Sequence, residues 1–156
     1  MNELSPIMLG IHSIAATIWV GGMFFAYLVL RPSVPAIEPP PERLKLWDRV
    51  FEKFFFWVWI TVVALPATGY WQLYTDFGGF GSAGAHIHIM HLTGWLMIVL
   101  FVYLYMKPYA QFRAAVSAED WPTAGTNLDR IRKIVAINLA LGIFTAVIGA
   151  TGRLWT

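Results

Sequence analysis

The chain has 156 residues, 58% hydrophobic, 16% aromatic and only 13% charged, with a net charge of +2 and a mean hydropathy of +0.59. Soluble domains carry about 25% charged residues, so this composition excludes an ordinary soluble enzyme and points to an integral membrane protein forming one domain over residues 1–156. The absence of cysteine excludes disulfides, thiolate-ligated haem, iron–sulfur clusters and cysteine nucleophiles, so any metal chemistry rests on His, Met or carboxylates.

Four stretches approach the ~20 apolar residues that a helix needs to cross a bilayer: residues 6–30, 54–74, 86–106 and 134–151. Strand-type alternation is absent, so the expected architecture is all-α, a four-transmembrane-helix bundle. The N-terminus MNELSP lacks a basic n-region, and the first apolar stretch outruns the h-region of a signal peptide. The first helix is therefore expected to be retained.

The segment "RPSVPAIEPPPERLKLWDRVFEK" follows. Its prolines are expected to stop the first helix and hold an extended linker before a short interfacial helix around 44–51. The loop 76–84, rich in glycine, reads as mobile or as a folded cap. Between the third and fourth helices, residues 111–133 begin with helical character and break near Trp121-Pro122.

Ten of the eleven basic residues lie between the first and second or between the third and fourth helices, Arg153 being the exception. The positive-inside rule makes that side cytoplasmic. Both termini would then face the periplasm of a bacterial inner membrane. Acidic residues interleave with these bases, so they read as charge facing lipid headgroups, with no nucleic-acid surface.

The two hairpins also read as a weak parallel repeat. The second helix ends in Ala67-Thr68-Gly69 and the fourth in Ala150-Thr151-Gly152, while His12 opens the first helix and His91 the third, 79 positions on.

Orientation brings chemistry with it, because His12 and His91 enter the bilayer from the same side at matching depth, about one and a half turns in. Ionisable groups at that depth usually face the bundle interior and mark functional sites. A haem between two helices needs one imidazole from each, with small residues beside them. His12 has Ala15, Ala16 and Trp19 on its face, and His91 has Gly94 and Trp95. Arg153, at the outer rim, is a candidate partner for propionates.

His86 and His88 fall in the first turn of the third span, where they read as a solvated cuff. His88 is also a candidate for propionate or ligand-orienting contact, and with His91 and Met90 for a small copper or zinc site. All four histidines lie on one side, which favours one haem b per chain over two stacked haems.

"IHSIAATIWVGGMFFAYLVLRP", with His12, Trp19, Gly21, Gly22 and Arg31 in register, resembles the first helix of the CopD-like family of membrane proteins, copper resistance protein D and its relatives. The third helix, His91 followed by Leu, Thr, Gly, Trp and an apolar run, is similar to that of the related HemJ-type protoporphyrinogen oxidases, with Thr93 where that type carries lysine. The resemblance implies a small four-helix membrane protein that binds b-type haem in one branch and handles copper in the other.

Three readings stand at this point. The first is a haem b protein with His12 and His91 as axial ligands to the iron. It would act in electron transfer or as a membrane oxidoreductase, with a quinone or a periplasmic redox partner. The second is copper handling through His86, His88, His91 and Met90, with His12 a core histidine. The third is a structural subunit whose histidines merely pack. Small residues over 142–149 suit packing within the bundle or within a homo-oligomer.

Overall fold

The computed structural model describes residues 3–154, Arg153 by its backbone alone. Four long helices account for nearly all of it: α1 (Ser5–Ala36), α2 (Pro40–Thr75), α3 (Ala85–Ser117) and α4 (Trp121–Thr151), with no strand among the described residues. Each is long and apolar enough to span a membrane. At ~1.5 Å per residue, their lengths of 31–36 residues exceed the ~30 Å of a hydrocarbon core, so the bundle projects beyond it.

One expected bound of each helix is corrected. α1 does not stop at Arg31-Pro32 but continues to Ala36, α2 begins at Pro40 rather than 54, and α4 begins at Trp121 rather than 134. α3 likewise runs past 106 to Ser117. The supposed linker is therefore the last turns of α1, the connection 37–39 and the start of α2, and the supposed interfacial helix belongs to the first turns of α2.

The prolines explain why sequence reading cut the helices short. Pro40 and Pro41 sit in the first turn of α2 and Pro122 in that of α4, where a missing N–H costs nothing because those donors have no helical partner anyway. Pro32 and Pro108 are passed in another way. A π segment, Phe25–Leu30, precedes the first, and another, Tyr105–Tyr109, contains the second. Widening the turn relieves the clash between the ring and the carbonyl four residues back.

The two hairpins share one plan. In each, a helix with a π segment at a proline leads through a three-residue connection, 37–39 or 118–120, into a helix with proline in its first turn. α1 packs chiefly on α2 and α3 on α4, and the hairpins meet through α1 against α4.

At the basic end, aromatic rings fill the interface between hairpins. Phe51 stacks on Phe55 at 5.2 Å, and Phe55 meets Tyr109 edge-on at 4.8 Å and Phe101 at 5.6 Å. Such pairs add roughly 0.5–1.5 kcal/mol each beyond the area they bury. They are what holds the polar first turns of α2 in place. Arg113 then bridges to Asp48 and Glu52 across the same seam.

The histidine end is built differently. Side chains do not fill the space between hairpins there, and the loop 76–84 folds over it as a cap. Gly78 and Gly79 take φ of +70° and +92°, a left-handed conformation that favours glycine. This turns the chain so that Gly79 N–H donates to Leu73 O at 2.8 Å. The Ser5 hydroxyl donates to Asp76, pinning the start of α1 to the end of α2.

Candidate functional site

Under the cap lies a cavity of about 660 Å³ walled by all four helices, within the range of sites that enclose small molecules and cofactors. Its walls are mostly apolar, and among the described residues no Asp, Glu, Lys or Arg lines it. The residues singled out from sequence largely converge on it. His12, Ala16 and Trp19 of α1 and His91, Gly94 and Trp95 of α3 all line this one space.

His12 is held by a hydrogen bond that sequence reading missed. Its Nδ1 lies 2.8 Å from Thr68 Oγ1, and the Thr68 hydroxyl donates back to Ala64 O at 2.7 Å. With that hydroxyl proton committed, the threonine oxygen is the acceptor and His12 Nδ1–H the donor. In that tautomer Nε2 carries no proton, and Thr68 orients the ring from behind.

His91 is positioned by rings. Tyr70 meets it edge-on at 5.5 Å and Phe80, from the cap, at 5.0 Å. Tyr70 is itself tied down, its hydroxyl accepting from Trp95 Nε1 at 3.2 Å. Trp19, 3% exposed, sits towards the floor and leads edge-on into Phe101 at 6.1 Å.

The expectations for the other histidines are sorted by this geometry. His86 is not part of a solvated cuff. It is half-buried and lines the cavity, with Gly152 so close that a Cβ there would collide with it. His88 stays exposed and does not reach the cavity lining. It stacks on Phe80 at 5.8 Å, on the far side of a ring whose edge meets His91. Among the described residues no three His, Cys, Asp or Glu side chains converge as a metal cluster, so His86, His88 and His91 do not form a chelate. The Arg153 side chain lies outside the described residues.

The third and fourth helices close tightly on each other beside the site. A Cβ at Gly149 would lie 3.0 Å from Met90 Cε, and Thr145 donates to Thr93 Oγ1 at 2.7 Å. Thr93 is thus a packing residue here.

Comparison with known proteins fits this architecture. Over its whole length the chain is similar to an uncharacterized protein of Aquifex aeolicus (strain VF5), 26% identical over 155 residues that cover 99% of each chain. No solved structure matches. The family model for copper resistance protein D matches residues 48–152, a span that contains His86, His88 and His91 but not His12. The protein is a multi-pass membrane protein that belongs to the CopD family.

Proposed function

We propose that this chain is a haem b-binding membrane protein, with His12 and His91 as the two axial ligands. The observation that carries the reading is the His12–Thr68 hydrogen bond, which leaves Nε2 without a proton on a ring lining an apolar cavity that His91 also lines. The cavity is large for a bare ion, has among the described residues no cluster of three His, Cys, Asp or Glu side chains, and has Ala16 and Gly94 where a flat ring needs close approach to the backbone.

Held there by His12 and His91, haem would supply a one-electron iron couple suited to electron transfer. The chain's own residues do the rest. Thr68 sets the His12 tautomer, Tyr70 and Phe80 fix the plane of His91, and Phe77 and Phe80 cap the site against water. A quinone from the bilayer or a periplasmic protein is the electron partner in this reading. The asymmetry of basic residues supports a bacterial inner-membrane location with both termini periplasmic.

The family description favours a second reading, copper handling, in which Met90, His86 and His91 on the cavity wall supply soft and borderline donors. Purification decides between them. Detergent-extracted protein is expected to be red, with the reduced-minus-oxidised spectrum of low-spin b haem, and His12→Ala and His91→Ala are each expected to abolish it. A colourless preparation holding stoichiometric copper would establish the second reading instead. A periplasm-only reporter fused to the C-terminus is expected to be active, and a silent fusion would reverse the topology.

A further inference from the structure

We infer that the cavity is filled sideways, from the bilayer leaflet at the histidine end, through a gap between α1 and α4, and that its ligand is therefore a planar, lipid-soluble molecule entering edge-on. Specific side-chain contacts bridge the other walls. α1 and α2 are joined by the His12–Thr68 bond. α3 and α4 are joined by Thr145–Thr93 and by the close approach of Met90 to Gly149. Trp95 reaches across to the Tyr70 hydroxyl between α3 and α2, and the cap seals the end.

α1 and α4 touch at Val20 and Gly142, where a Cβ on the glycine would lie 2.8 Å from Val20 Cγ2. Above that apex, Ser13 and Thr17 on α1 and Ala146 and Ala150 on α4 line the cavity while remaining exposed. Small residues that both line the cavity and stay exposed leave an opening between the two helices. From Gly142 to Ala150 the opening rises ~12 Å along α4, two turns of helix. Its flanks are small side chains, and the Thr17 hydroxyl is satisfied within its own helix by Ser13 O at 2.8 Å. With flanks this small, the passage suits a ring dissolved in lipid.

Resting on the haem reading only for the identity of the ring, the proposal is tested in two arms. In the first, apoprotein in liposomes is offered haemin already partitioned into the membrane, and the growth of the haem spectrum is timed. Ala146→Trp and, separately, Thr17→Phe are expected to slow loading on the order of tenfold or more, as expected of a blocked gate. Val63→Trp, on a lipid-facing position of α2 that does not line the cavity, is expected to load at the wild-type rate. Equal rates in all variants would overturn the proposal.

The second arm needs no haem. Because the chain lacks cysteine, a single nitroxide at Ala16→Cys reports from inside the cavity. Strong broadening by lipid-dissolved oxygen that Ala146→Trp removes supports the portal. Weak broadening, or broadening indifferent to the plug, overturns it, and so does a stable dimer that seals the α1–α4 face. A protein that takes up no haemin yet passes the second arm would refute the haem reading and leave the portal standing.

Discussion

Thr68→Val is the most informative single change in this molecule. It replaces a hydroxyl by a methyl of nearly the same shape at a position 5% exposed, so packing is kept while His12 Nδ1 loses its acceptor at 2.8 Å. The lost bond to Ala64 O is minor, since that carbonyl lies within the α2 ladder. A neutral hydrogen bond contributes about 1 kcal/mol net, but its larger effect here is on the ligand. With Nδ1 unanchored, His12 can turn and exchange tautomers, and partners of this kind typically change metal affinity by about 10–100-fold, or about 1.4–2.8 kcal/mol.

The assay is a spectroscopic titration of apoprotein with haemin, alongside a redox titration. Thr68→Val is expected to weaken binding within that range and to raise the midpoint potential, because a less basic imidazole stabilises the oxidised iron less. Thr68→Ser is expected to restore both. Wild-type affinity and potential in Thr68→Val would refute the inferred tautomer and, with it, the main support for His12 as a ligand.

Other residues make separable predictions. Gly152→Ala is expected to lower the thermal midpoint, since its Cβ collides with His86 and overpacking costs about 1–3 kcal/mol. Unchanged melting would mean that α3 and α4 are not this close. Asn138→Leu is expected to be nearly neutral in a detergent unfolding assay. The bond from its Nδ2 to Met97 O, at 3.2 Å, is worth only about 0.6 kcal/mol by membrane averages, and leucine also removes the amide oxygen that has no partner. A loss of several kcal/mol would assign that amide a role in holding α3 against α4. Asp120 caps α4, accepting from Thr123 N at 3.2 Å, and hydrogen bonds from Thr123 hold its carboxyl below the usual range. The cap is therefore fully effective above the ordinary carboxylate value and is lost as pH falls through the lowered one. Hydrogen exchange at the first turn of α4 is expected to rise in acid, and Asp120→Ala to be fast at every pH.

The membrane spans and the two histidines at matching depth were legible because each depends on one local property, a run of apolar residues or an ionisable group inside it. The polar turns 40–53 were not, since what keeps them helical is the contact of Phe51 and Phe55 with rings on α3, some fifty residues away. The role of Thr68 was half visible. The Ala-Thr-Gly triplet stood out as a repeat, but its hydroxyl gains meaning only when α1 lies against α2. His86 was misplaced because a helical wheel sets it 140° from His91, and only a cavity wide enough to present both makes that angle irrelevant. The cap was open between two alternatives that its glycine dihedrals decide.

The two hairpins meet on filled space at the basic end and on an empty volume of about 660 Å³ at the other. Whatever occupies that volume replaces missing core, so the folded population rises with the ligand by RT ln(1 + [L]/Kd), about 2.7 kcal/mol at a hundredfold excess over Kd. Supply of the ligand then governs how much protein survives in the membrane, because unfilled chains are the looser and more readily proteolysed ones. Abundance of the protein becomes a readout of ligand availability without any dedicated sensor.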